Sequence, residues 1–176
     1  YPGSADIPDD GTGDEEQEPD YRHGEVNLSH ILTGYKESYS ENYQAYRFSD
    51  DTVLDLNWDS GTYAGDIDLF VGFYPDSGSA GYALAIYPGV GYKKLAKSNI
   101  HDVTEVSADD YNYISEPHKM DANSCYALSL RNGNYAVVYY EPFVIIEQNP
   151  VENDNRIYHE RTTFYYKYRD DGGRQF

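Results

Sequence analysis

The sequence predicts an all-β protein: an antiparallel β-sandwich or jelly-roll-like single domain, with an acidic N-terminal extension and at most one short helix. Three observations predict it. Asn132-Gly133 separates two runs rich in β-branched, aromatic and aliphatic residues, and Asn-Gly is the strongest short hairpin signal because a type I′ turn needs φ > 0 at both central positions. Short apolar runs recur along the chain between Gly, Pro, Asn and Ser turns, the spacing of sandwich strands. Residues 157–168 alternate in polarity over the length of a long strand. No internal repeat is visible, which argues against a propeller or solenoid.

Taken in order, residues 1–23 form an arm or linker. The first twenty residues hold eight carboxylates and no Lys or Arg, among Pro and Gly, a composition that cannot bury enough apolar surface to fold. The β domain then spans residues 24–176. Residues 24–32 read as a strand, with Val26, Leu28, His30 and Leu32 on one side and Glu25, Asn27, Ser29 and Ile31 on the other. Asn27-Leu28-Ser29 is also an N-glycosylation sequon, meaningful in a host that glycosylates its exports. Residues 36–44 are polar and Ser-rich, a loop or weak helix. Strands follow at 43–48, at 52–58 with Leu54, Leu56 and Trp58 inward, at 66–74 with Ile67, Leu69, Val71 and Phe73 on one face, and at 82–87.

Residues 100–106 read as a short strand. Ser107, followed by Asp109 and Asp110, has the chemistry of a helix N-cap and acidic first turn, predicting a short helix through Ile114. A two-residue turn in the Asn132-Gly133 hairpin pairs Leu130 with Tyr135, Leu128 with Val137 and Tyr126 with Tyr139 as one bulky face. Cys125, Ala127 and Ser129 share the small-residue face. The last strand places Glu160, Thr162, Phe164, Tyr166 and Tyr168 on one face and His159, Arg161, Tyr165, Lys167 and Arg169 on the other. Arg131 to Val137, Arg-Asn-Gly-Asn-Tyr-Ala-Val, resembles hairpins of exported bacterial β-sandwich lipoproteins; the resemblance is confined to the hairpin and implies no activity.

Thirteen Lys and Arg against 31 Asp and Glu give a net charge of −18. Nucleic acid and anionic membranes would be repelled, whereas cations and basic partners would not. With Cys125 alone, no intramolecular disulfide can form, and its place in the hairpin suits a buried thiol better than a nucleophile. The chain begins at Tyr1 rather than Met, and no stretch reaches the ~18 apolar residues of a membrane span, which together suggest a processed, exported protein at the cell surface or outside the cell.

Catalytic chemistry finds no pattern. The five histidines, His23, His30, His101, His118 and His159, lie in unrelated contexts; no Gly-x-Ser-x-Gly elbow, zinc spacing or phosphate loop occurs. Asp55, Asp59, Asp66 and Asp68 would gather at the open end of a hairpin if residues 52–58 and 66–74 paired, offering the hard oxygens that Ca²⁺ takes. Trp58, Tyr63 and Tyr74 offer rings for stacking on a glycan. The last 21 residues, 156–176, hold five of the 13 basic groups, against an arm of net charge −8. That complementarity has two readings: the arm lies along its own last strand, or copies assemble through Val26, Leu28 and Leu32 of the arm-proximal strand and Arg161, Lys167 and Arg169 of the last strand. A head-to-tail contact of this kind builds a filament unless it closes. The leading expectation is therefore an exported, non-catalytic structural subunit that assembles with itself, with Ca²⁺ as a candidate cross-linker. A carbohydrate-binding or adhesion module is the second expectation and an acidic extracellular enzyme the third.

Overall fold

The computed structural model describes residues 21–35, 38–57, 66–73, 81–149 and 155–176. The fold is all-β and antiparallel. Its strands are β1 (Arg22–Tyr35), β2 (Ser38–Arg47), β3 (Thr52–Asn57), β4 (Leu69–Phe73), β5 (Tyr82–Ile86), β6 (Gly91–Lys94), β7 (Asn112–Tyr113), β8 (His118–Lys119), β9 (Cys125–Ser129), β10 (Tyr135–Tyr140), β11 (Val144–Asn149) and β12 (Asn155–Arg169). They follow one hydrogen-bonded path, β7-β6-β9-β10-β12-β1-β2-β4-β5-β8, with β11 added to β12 and β3 to β2.

Two long strands form the spine. β1 and β12 pair without interruption from Arg22 opposite Tyr168 to Tyr35 opposite Asn155. The other side of β12 is shared between β10, opposite Phe164 to Arg169, and β11, opposite Ile157 to Arg161. β2 likewise passes from β1 to β4: Tyr43 lies opposite His30, and Ala45 lies opposite Phe70. These transfers let one sheet curl around a core instead of lying flat.

Alternation decides what fills that core. Leu28 and His30 of β1, Tyr126 and Leu128 of β9, Ala136, Val138 and Tyr140 of β10, and Phe164, Tyr166 and Tyr168 of β12 all point inward and are buried. The opposite face of β9, β10 and β12 is covered too. Cys125, Ala127 and Val137 form a second apolar cluster with Ile100, Val103 and Val106, which descend from the loop after β6. Both faces of the central hairpin are thus buried, one under the main core and one under a loop.

Several sequence expectations are corrected. The polar stretch at 36–44 does not form a loop or helix: its described part from Ser38 onward is strand β2, held by pairing to β1 and β3 that outweighs its weak propensity. No helix follows Ser107. Its hydroxyl accepts from the Asp109 N–H (3.1 Å) in a local turn, and Asp110 takes φ 69°, which ends any helical run. Helical geometry lies instead at Ile100–Asp102, as one 3₁₀ turn where a strand was expected.

The central hairpin is shifted by one residue. Leu128 faces Ala136 and Tyr126 faces Val138, because the connection is three residues long, with Gly133 at φ 84° and its N–H on the Leu130 carbonyl. The Asn132 side chain steadies it by accepting from the Asn134 N–H (3.1 Å). Val137 and Tyr139 therefore leave the main core and turn to the loop-covered face. β3 and β4 do not pair with each other; β2 separates them by pairing with both.

Candidate functional site

Strand β1 presents its odd-numbered residues to the outer face of the sheet, beside the outward residues of β12 and β10. His23, Glu25, Tyr165, Lys167 and Tyr139 consequently share one surface. The 3₁₀ turn Ile100–Asp102 rises at its margin. Between them lies a cleft of about 560 Å³, bounded on one side by Tyr21, His23, Tyr139, Tyr165 and Lys167 and on the other by Ser98, Asn99, Ile100 and His101. Its size falls within the range of about 300–1,000 Å³ usual for ligand pockets.

The turn that carries His101 is built locally. Asn99 stands at its N-cap with extended backbone (φ −132°), and its side-chain oxygen accepts from the His101 N–H (2.9 Å). The Val103 N–H closes the turn on the Ile100 carbonyl (3.2 Å). Ile100 buries its side chain against the Cys125, Ala127 and Val137 cluster, which leaves the neighbouring His101 exposed toward the cleft. The C-terminal residues brace the same loop: the Val106 N–H donates to the Arg174 carbonyl and the Phe176 N–H to the Thr104 carbonyl.

At the sheet side, Tyr21 sets its ring edge-on to His23 (centroids 5.8 Å) and to Phe176 (5.7 Å). Lys167 lies directly opposite His23 in the β1–β12 ladder and is only 6% exposed. Its ammonium donates to the Val103 carbonyl (2.9 Å) and stands 5.6 Å from the centre of the Tyr21 ring. Burial lowers the affinity of this amine for its proton, while the charge of Asp102 works in the opposite direction. The cleft therefore combines two imidazoles from separate elements, several phenol rings and one largely buried cation.

A second histidine cluster lies on the other face of β1. His30 is fully buried, stacked on Tyr82 (centroids 3.9 Å, 22°) and within 2.9 Å of a Glu41 carboxylate oxygen through Nε2. The Tyr82 hydroxyl donates to the same Glu41 oxygen (3.3 Å). Burial lowers the pKa of His30, and the Glu41 carboxylate offsets part of that shift. His30 itself is enclosed among packing partners, while Glu41 and Tyr82 remain partly exposed at the edge of the cluster.

The residues singled out in the sequence are scattered. Asp55 on β3 accepts from Gln44 (3.0 Å), and Asp66 is exposed near Arg131 (3.7 Å). Asp68 is buried, accepts the Phe48 N–H (2.8 Å), and has its pKa pushed up to about 6 by burial. Asp59 lies outside the described residues, as do Trp58, Tyr63 and Tyr74. Among the described residues no three His, Cys, Asp or Glu side chains converge on a point that could hold a metal ion; the geometric basis of the Ca²⁺ expectation is corrected. It rested on a β3–β4 hairpin that the fold does not contain.

Self-assembly is corrected as well. Val26, Leu28 and Leu32 belong to β1, which pairs with β12 along its whole length and with β2 over residues 30–35, so this strand is the middle of its own sheet and no docking arm. Arg161, Lys167 and Arg169 lie on β12, whose two sides are already occupied by β1 and by β10 with β11. Two of these charges are used within the chain: Lys167 on Val103, and Arg169 on Asp171 (2.9 Å) and the Gln175 carbonyl (3.0 Å), while Arg161 is exposed.

No protein-family model and no curated protein matches the chain. Solved structures to which it is similar include three, each at low identity. One, from Bacteroides vulgatus, is described as a candidate HmuY-like haem-binding protein; it is 11% identical, with 82% of this chain and 90% of that one covered and a TM-score of 0.44. An HmuY analog from Tannerella forsythia, solved in its apo form, is 7% identical, with 84% and 97% covered and a TM-score of 0.39. Apo PinO from Porphyromonas gingivitis is 10% identical, with 85% and 97% covered and a TM-score of 0.38. None of the three is described as a filament subunit, a glycan-binding module or an enzyme. TM-scores this low reflect a loosely shared β architecture, and the chemistry of the cleft has to come from its own residues.

Proposed function

We propose that this is a non-catalytic binding protein whose cleft takes haem or a closely similar flat iron chelate. The observation that carries the reading is the presence of two imidazoles, His23 from β1 and His101 from the 3₁₀ turn, in one cleft of about 560 Å³ walled by tyrosine rings. The donor set fits the group. Imidazole nitrogen is a common axial ligand of haem iron, and a flat macrocycle gains contact area against aromatic faces. His23 and His101 would hold the iron, which supplies the coordination bonds when bound. Tyr21, Tyr139 and Tyr165 would cover the macrocycle and exclude water.

The cleft offers ligating and packing groups, which suit binding. We place the protein outside the cell or at its surface, with the acidic Pro/Gly-rich first twenty residues suited to a tether. Among the described residues no helix is long and apolar enough to cross a membrane. Fractionation of the producing cell tests that placement.

The ligand is tested by titrating ferric haem into the full chain and following the Soret band. The wild type is expected to saturate at one equivalent. His23→Ala and His101→Ala are each expected to weaken binding by about tenfold or more, which is about 1.4 kcal/mol per tenfold. The absence of saturable binding, or a double alanine variant that binds as tightly as the wild type, would overturn the reading.

A further inference from the structure

Lys167 occupies an unusual position. It is 6% exposed, directly opposite His23 across the β1–β12 ladder, and its ammonium reaches away from the sheet to the carbonyl of Val103 (2.9 Å). Val103 is the residue that closes the 3₁₀ turn bearing His101. One side chain thus connects the cleft wall that holds one imidazole to the cleft wall that holds the other.

That connection matters because the turn is short. It is three residues long; besides its own backbone bonds it is tied by the Asn99 cap on the His101 N–H and by the apolar contacts of Ile100 and Val103 with Cys125, Ala127 and Val137, and the loop beyond it is braced by the Val106–Arg174 and Phe176–Thr104 backbone bonds. Apolar contacts of this kind resist lifting but are non-directional, so they fix depth better than orientation. A hydrogen bond from a charged donor is short and directional, and in a buried setting it is costly to lose. Burial of an ammonium is itself unfavourable, and here it is offset by the Val103 carbonyl, the charge of Asp102 and the Tyr21 ring face. A methionine of similar length would cover the same apolar surface without that cost, but it could not grip the carbonyl.

We propose that Lys167 is the positioning residue of this cleft: its ammonium latches the Ile100–Asp102 turn to β12 and so sets where His101 stands relative to His23. The inference rests on the cleft reading above and gives it a specific requirement. Two imidazoles can reach one flat iron chelate from separate elements only if the distance between those elements is held. A residue that orients a ligand without touching it has a characteristic effect, and its loss typically weakens metal affinity by about tenfold to hundredfold.

The test uses Lys167→Met and Lys167→Arg in the full chain, with circular dichroism and melting to confirm folding. Two measurements are made. In the absence of ligand, exchange of the His101, Asp102 and Val103 amide protons is expected to be about tenfold faster in Lys167→Met and near wild type in Lys167→Arg, which keeps a donor for the carbonyl. With ferric haem, Lys167→Met is expected to bind about tenfold more weakly, with the low-spin spectrum of two nitrogen ligands giving way to a high-spin one. Lys167→Arg is expected to retain most of the low-spin form. If the wild type binds haem and Lys167→Met matches it in affinity, spectrum and amide exchange, the latch is refuted and the haem reading stands. If the wild type binds no haem, the haem reading falls and amide exchange alone decides the latch: faster exchange supports it and unchanged exchange overturns it. Should Lys167→Met fail to fold, Lys167→Gln replaces it under the same criteria.

Discussion

His30 and His23 lie on the same strand, seven positions apart, and therefore on opposite faces of it. His30 is sealed in the core between Tyr82 and Glu41, whereas His23 stands exposed at the cleft with Tyr21 beside it. Their side chains are chemically identical, and the difference in role comes from parity alone. A buried imidazole with a carboxylate and stacked rings is a packing element whose loss leaves a cavity and takes one hydrogen-bond partner from the acid. An exposed imidazole beside a second one is available to a ligand. One strand therefore both anchors the fold and supplies the site.

The largest effect separating the two is expected from His30→Ala. It removes a fully buried ring and leaves Glu41 without its 2.9 Å partner, a loss of about 2–4 kcal/mol in unfolding free energy by denaturant titration. His23→Ala, on the exposed face, is expected to change stability by less than about 0.5 kcal/mol. Equal losses at the two positions would break the comparison. His30→Phe sharpens it: the stacking on Tyr82 is kept, so the cost should fall well below that of alanine.

The next effect is in pH. The folded state holds the pKa of His30 below its ordinary 6.5 through burial, so the unfolded chain takes up a proton that the folded chain refuses. This contribution to stability is intact above about pH 6.5 and is lost as the pH falls below it. Asp68 acts in the opposite sense. Its pKa is raised from 3.8 to about 6 by burial, so the folded state takes up the proton first and gains stability as the pH falls from above 6 toward 4. Melting curves between pH 7.5 and 4.5 should show a shallower acid-side loss in His30→Phe than in the wild type. Asp68→Asn, the smallest effect of the set, should melt higher than the wild type at pH 7.5 and lose more stability on acidification. If neither variant alters the slope, other groups govern the acid response.

The strand content and the facing of β12 were legible because a period of two over many residues has few alternative readings. Thr162, Phe164, Tyr166 and Tyr168 are buried on the face their spacing assigns. The hairpin register was not, because Asn132-Gly133 supports both two- and three-residue connections, and the single residue between them exchanges the faces of Val137 and Tyr139. β2 was hidden by its Ser-rich start, where cross-strand partners rather than intrinsic preference make the strand. The cleft was the least legible part. His23 and His101 are 78 positions apart in the chain, and only the β1–β12 register together with a loop folded over β9, β10 and β12 brings them to one place. A faint signal existed in Ser98-Asn99-Ile100-His101-Asp102: an Asn cap before one apolar residue suits a short turn that buries one side chain and exposes the next.

Cys125 is the chain's single cysteine, fully buried beneath the loop that carries His101, and burial pushes its thiol pKa up. A thiol reagent dissolved in water can reach that sulfur only when the loop lifts from the sheet. The labelling rate of this one atom is therefore a clock for opening of the loop, started by adding the reagent and read by mass. A molecule lodged in the cleft, or a side chain that pins the loop, slows the same clock without any probe having been engineered into the protein.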